Sequence, residues 1–309
     1  MKRQKGPSIQ IVEVGLRDGL QNEKLVLSVA DRVHLATQMI AVGLNRLELG
    51  AFVRADRVPS MQGSKEVILQ MQELVKTGKI NAQAEFSALV PNAKGMLDAI
   101  EVGLKEVAIF GAASETFSKK NINCSIVESF ERFQEVLLLA KQNKIKVRGY
   151  LSTCFGCPYE GRVDEKKVVQ LAVKLHKMGC FEISIGDTIG VADPKQVKRV
   201  FKKLLNYIPA KHLAGHFHDT RGTALANILA AFELGIKTFD TSVGGLGGCP
   251  YAPGASGNVS TEDVVYMFER MGESTGVNLS ALIAVNAELS KIMQRELASK
   301  VSKAGIPKF

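Results

Sequence analysis

Short apolar runs alternate with longer amphipathic stretches along almost the whole chain. The runs fall at residues 9–14, 46–49, 82–89, 106–110, 146–151, 181–185, 212–218 and 238–243. They are nearly continuous in hydrophobicity, the pattern of parallel strands covered by helices. Between them apolar residues recur at i, i+3, i+4 and i+7, as in Val168, Leu171, Ala172 and Leu175, which is one face of a helix. Gly43, Gly78, Gly103, Gly179 and Gly235 stand where such helices should end. A chain leaving a helix often turns through a left-handed residue, which glycine alone adopts without steric cost.

Eight strand–helix units in succession predict an α/β fold closed into a (β/α)8 TIM barrel. The alternative is an open doubly wound sheet, which usually carries a glycine-rich phosphate turn after its first strand. Here the first run leads instead into Gly15-Leu16-Arg17-Asp18-Gly19. One further helical stretch, 279–300, is expected to pack on the barrel or at a subunit contact. No linker or repeat breaks the pattern, so residues 1–309 are expected to form one barrel domain with a C-terminal helical extension over 278–309.

Composition narrows the function classes. The chain has 309 residues, 46% of them hydrophobic and 23% charged, so a large core is available and disorder is not expected. The net charge of +9 raises nucleic acid as a partner, but no dense basic run or binding motif is present. Lys195, Lys198, Arg199, Lys202 and Lys203 have the spacing of a solvated helix face. The five cysteines are an odd number in a long chain, which fits reduced thiols in a cytoplasmic setting. Cys154 and Cys157 form a C-x-x-C with no second pair to complete a zinc site, and are expected to be structural. Residues 1–5 are basic but lead into no apolar segment, so no secretory signal is expected. No uncharged run reaches the roughly 18 residues of a spanning helix, so no membrane partner is expected.

In a barrel of this type, chemistry gathers at the C-terminal ends of the strands. Arg17 and Asp18 follow the first run, Glu48 ends the second, Asp187 follows the sixth, and His216 and His218 end the seventh. Residues i and i+2 of a strand share a face, so the two imidazoles can converge on one ion. Asp18 and Asn258 could add oxygen ligands, and a mixed N/O set without thiolates favours Mg²⁺ or Mn²⁺, or Zn²⁺. Arg17 beside Asp18 is either a local ion pair or a permanent cation facing a developing oxyanion. The glycine-rich segment after the eighth run, about 15 residues long, has the length of a binding lid and carries Cys249 as a potential proton donor.

At these residues the chain resembles the 3-hydroxy-3-methylglutaryl-CoA lyase family, within the barrel metallolyases that include isopropylmalate and homocitrate synthases. The segment Ser242-Val243-Gly244-Gly245-Leu246-Gly247-Gly248-Cys249-Pro250-Tyr251 resembles that family's signature. So do Phe110-Gly111-Ala112-Ala113-Ser114, Lys119-Lys120-Asn121-Ile122-Asn123-Cys124, Gly156-Cys157-Pro158-Tyr159-Glu160-Gly161 and Gly186-Asp187-Thr188-Ile189-Gly190. The likeness runs from about residue 9 to 270. It implies Asp18, His216, His218 and Asn258 as ligands of a divalent cation, Mg²⁺ or Mn²⁺. It implies Arg17 as enolate stabiliser, Cys249 as lid acid, Glu48 and Asp187 as further catalytic residues, and Gln21, Asn121 and Thr188 with Arg17 as substrate contacts. The implied reaction is retro-Claisen cleavage of (S)-3-hydroxy-3-methylglutaryl-CoA to acetyl-CoA and acetoacetate, a step of leucine degradation, by a cytoplasmic homodimer. The general base is Asp187 or His216. Arg54-Ala55-Asp56, Leu49-Gly50-Ala51, Phe217 and Arg221 depart from the family's usual residues and bear on acyl preference. The alternatives are a lyase for a longer 3-hydroxy-acylglutaryl-CoA and a condensing acyltransferase of the isopropylmalate or citramalate synthase type.

Overall fold

The computed structural model describes residues 7–248 and 257–307. Eight parallel strands close into a barrel in chain order, each hydrogen-bonded to its sequence neighbours, and the last pairs with the first. They are β1 (Gln10–Glu13), β2 (Arg46–Ala51), β3 (Glu85–Leu89), β4 (Glu106–Ala112), β5 (Lys146–Ser152), β6 (Glu182–Asp187), β7 (Leu213–Phe217) and β8 (Thr238–Thr241). Every predicted apolar run overlaps one strand, and β2, β4, β5 and β6 continue one or two residues beyond it. His212 falls outside β7, in a short 3-10 turn at Ala210–His212.

The helices are α1 (Val29–Ala41), α2 (Ser64–Lys76), α3 (Ala93–Glu101), α4 (Glu115–Ile122), α5 (Ile126–Gln142), α6 (Glu165–Met178), α7 (Pro194–Leu205), α8 (Ala224–Phe232), α9 (Thr261–Arg270), α10 (Leu279–Ile292) and α11 (Lys300–Ala304). Their starts are written in short side chains. Ser28 and Ser125 make reciprocal capping boxes with Asp31 and Glu128. Asp193 accepts from the Lys195 and Gln196 amides ahead of a proline at the first helical position. On α7, Val197, Val200, Phe201 and Leu204 are buried, and its lysines and arginine point outward, as expected of a solvated face. Gly43 shows why a helix end needs glycine: its φ is +104°, and a Cβ there would strike the Gly276 carbonyl.

The expected single helix at 279–300 is instead two, α10 and α11. Gln294 takes φ +55°, the Arg295 amide turns back to the Ser290 carbonyl, and Ser299 starts a new helix by accepting from the Ser302 amide. The connection reaches the barrel mouth, where the Ala298 amide donates to the Gly244 carbonyl at 2.8 Å.

Side chains facing the inside of the barrel stack in layers from alternate strands. Arg46, Glu106 and Glu182, the first residues of β2, β4 and β6, meet at the bottom, with Arg46 2.9 Å from Glu106 and 3.0 Å from Glu182. Two residues on, the same strands and β8 place Glu48, Ser184 and Asp240 on the same inward face. Arg148 of β5 joins the layers through ion pairs to Glu182 at 2.6 Å and Asp240 at 2.7 Å.

Candidate metal centre and active site

The mouth is built where β1 ends. Residues Gly15–Gly19 form a single π-turn, closed by the Gly19 amide on the Val14 carbonyl at 3.2 Å. This turn presents Arg17 and Asp18 side by side over the barrel. Arg17, 3% exposed, binds Asp18 and Glu48, each at 2.6 Å, and lies over the Tyr150 ring. Burial works to lower the arginine's pKa, but the carboxylates of Glu48 and Asp18 outweigh it and raise it. Arg17 is therefore a fixed, permanent cation. Burial likewise acts to raise the Asp18 carboxyl, yet Arg17 and the two imidazoles hold it well below the usual carboxylate range.

His216 lies on β7, and His218 follows the strand. Ligand atoms of Asp18, His216 and His218 all lie within 4.8 Å of one another. His218 Nε2 is 3.7 Å and His216 Nε2 4.0 Å from Asp18 Oδ2. The fourth expected residue arrives on a returning segment. Asn258 bridges His218, the Asp219 amide donates to the Gly257 carbonyl, and the Val259 amide donates to the Phe217 carbonyl. Asn258 Nδ2 donates to Asp18 Oδ2 at 2.8 Å and to the Leu246 carbonyl at 3.2 Å. Its Oδ1 is buried with no hydrogen-bond partner among the described residues. An orphaned carbonyl oxygen beside two imidazoles and an ionised carboxylate is the donor set of a divalent cation, so these four residues fit one.

The other expected residues have different surroundings. Glu48 is fully buried behind Arg17, where it also accepts from the Tyr150 hydroxyl at 3.2 Å. Burial raises its carboxyl against the pull of Arg17. Asp187, also fully buried, spends its two oxygens on the Val191 and Ala192 amides and shapes the loop after β6. In that loop the Thr188 hydroxyl accepts from the Thr153 amide. Gln21 is half-buried beyond the π-turn, and Asn121 is exposed on α4. Cys249 lies outside the described residues. The base of its segment is described: Gly247 and Gly257 have φ of +127° and +77°, and a Cβ on Gly257 would strike Gly247. Cys154 and Cys157 are buried, with their thiols on the Leu151 carbonyl and the Ser114 hydroxyl, which is the structural role expected of them.

Several residues at the site escaped sequence reasoning. Asp240 meets His216 Nδ1 at 3.2 Å. Burial opposes ionisation of Asp240, but Arg148 and His216 hold its pKa down. Glu13 and Glu262 grip the start of the glycine segment: Glu13 accepts from the Val243 amide, and Glu262 accepts from the Gly244 amide and from Asn286 of α10. The available signal was a charged residue inside an apolar strand run, as at Glu13, Arg148 and Asp240.

Comparison with known proteins agrees with this geometry. The family model described as HMGL-like matches residues 8–289. Hydroxymethylglutaryl-CoA lyase of Pseudomonas mevalonii is 50% identical, over 92% of this chain and 92% of its own length. The 3-hydroxy-3-isohexenylglutaryl-CoA/hydroxy-methylglutaryl-CoA lyase of Pseudomonas aeruginosa is 46% identical, over 97% of this chain and 98% of its own. The crystal structure of hydroxymethylglutaryl-CoA lyase from Pseudomonas aeruginosa superposes with a TM-score of 0.91 at 46% identity, covering 96% and 97% of the two chains. Among the described residues, no helix is long and apolar enough to cross a membrane.

Proposed function

The chain belongs to the HMGL-like family, and from that premise we propose that it is a hydroxymethylglutaryl-CoA lyase, a carbon–carbon lyase that splits (S)-3-hydroxy-3-methylglutaryl-CoA into acetyl-CoA and acetoacetate. The observation that carries the reading is the convergence of Asp18, His216, His218 and the orphaned Asn258 oxygen beside a buried arginine. Those four residues would hold the divalent cation, Mg²⁺ or Mn²⁺, which when bound polarises substrate oxygens and orients them.

The remaining chemistry falls to the protein. Asp187, at the end of β6, takes the 3-hydroxyl proton as the hydroxyl carbon becomes a ketone; the adjacent carbon–carbon bond breaks, and its electron pair becomes a thioester enolate. Arg17 offsets the charge on that enolate oxygen, where a preorganised cation acts mainly in the transition state. Glu48 and Tyr150 fix the guanidinium from behind. Cys249, on the glycine segment anchored by Glu13 and Glu262, delivers a proton to the carbanion. Asp187 also holds the β6 loop, which places Thr188, and Gln21 and Asn121 are further substrate contacts. His216 presents Nδ1 to Asp240, so its one remaining nitrogen serves as ligand in place of base.

The proposal includes a single barrel domain, a homodimer and a place in cytoplasmic leucine degradation. The test is product analysis with the methyl substrate and its isohexenyl homologue, in chelator-stripped protein and after Mg²⁺ or Mn²⁺ is restored. Acetyl-CoA should appear only with metal. Acetyl-CoA consumption in place of release would favour the condensing enzyme, and full turnover of stripped protein would remove the metal from the mechanism.

A further inference from the structure

We propose that Asp240 is the positioning residue that makes His216 a ligand, by holding the proton on Nδ1 and so aiming the Nε2 lone pair at Asp18 and His218. The inference rests on the metal reading of the mouth but concerns a residue that touches neither metal nor substrate.

Asp240 lies on β8, 1% exposed, one layer below the mouth. Its Oδ2 is 3.2 Å from His216 Nδ1 and accepts from the Ser184 hydroxyl at 2.6 Å, and its Oδ1 is 2.7 Å from Arg148 Nη2. An ionised carboxylate offers only acceptors, so the ring nitrogen facing it carries the hydrogen. In a neutral imidazole the other nitrogen then keeps its lone pair, and here that nitrogen is Nε2, the one turned to Asp18. Asp240 has little freedom to leave. Arg148 holds it and is itself held by Glu182 at 2.6 Å and stacked over Tyr150. The neighbouring imidazole makes the contrast: His218 Nδ1 is buried without a hydrogen-bond partner among the described residues. One histidine of the pair is thus preset and the other adapts.

Replacing Asp240 by asparagine reverses the instruction. Only one side-chain oxygen remains, and Arg148 claims it because an amide NH₂ against a guanidinium would set donor against donor. The NH₂ then faces His216 Nδ1, which must accept, and the ring proton moves to Nε2, the ligating atom. Partners of this kind behind metal-binding histidines typically contribute roughly 10–100-fold to affinity.

The experiment has two parts. ¹⁵N NMR of histidine-labelled full chain, before metal is added and at a pH where the imidazoles are neutral, reads the tautomer of His216. Electron paramagnetic resonance then follows titration with Mn²⁺ alone. We expect Nδ1–H in the wild type, Nε2–H in Asp240→Asn, and a Kd for Mn²⁺ raised roughly 10–100-fold in the variant. An Nε2–H tautomer in the wild type overturns the proposal, and so does unchanged Mn²⁺ affinity in a folded Asp240→Asn. Should the variant not fold, the wild-type tautomer decides alone. A wild type that binds no Mn²⁺ would count against the lyase reading, while the tautomer would still judge Asp240.

Discussion

The barrel contains two buried ionic clusters with opposite logic. At the bottom, charges alternate in sign: Arg46 sits between Glu106 and Glu182. At the mouth, Asp18, His216, His218 and Asn258 bring lone pairs together, and an Asn258 oxygen stays without a hydrogen-bond partner among the described residues. Alternation closes a cluster on itself, so the bottom serves the fold. Convergence leaves it open toward a cation, and that separates a site from a scaffold although both are buried and charged.

The comparison breaks most visibly at Arg46. Removing one partner of a buried ion pair leaves an uncompensated charge and costs roughly 3–5 kcal/mol. Arg46→Met should therefore lower the unfolding free energy in denaturant titration by about that amount, with kcat per folded molecule near wild type. A collapse of kcat in fully folded Arg46→Met would show that the bottom cluster takes part in catalysis.

Arg17→Met tests the other end. Enolate charge exists mainly in the transition state, so kcat should fall roughly 10²–10³-fold, equivalent to about 2.7–4 kcal/mol, with little change in KM. A raised KM at constant kcat would instead make Arg17 a ground-state binding group.

How much of this was legible depends on the range of the physics. The strands and the helix-end glycines were readable because periods of 2 and 3.6 and the left-handed turn are local. The pairs Arg17-Asp18 and His216-x-His218 were readable for the same reason, as each is a neighbour pair at a strand end. Asp240 was not, because it reaches His216 only when β8 closes on β7, and a charged residue in an apolar run does not name its partner. Nor was the break between α10 and α11, since Gln294 has no special turn chemistry and the bend is imposed by docking at Gly244.

Glu13 sharpens the contrast through an effect that is smallest per step, about 1.4 kcal/mol for each pH unit. Like Glu106, it is a buried carboxyl on a barrel strand, but no cation pairs with it among the described residues. Among the described residues, its oxygens accept from the Gly15 and Val243 amides and the Thr261 hydroxyl. Burial is the largest influence and pushes its pKa up to about 8 from 4.5, against those hydrogen bonds. The native state therefore keeps a proton that the unfolded chain releases above about 4.5. Its contribution to stability is complete below that pH and is lost as pH rises through about 8. Across that window the wild type should lose stability relative to Glu13→Gln, which stays neutral, with a slope approaching about 1.4 kcal/mol per pH unit. Denaturant titrations of both proteins at steps between those limits measure the difference. Parallel curves would mean that Glu13 is ionised at neutral pH, and that the mouth holds its glycine segment with a charge as the bottom holds its strands.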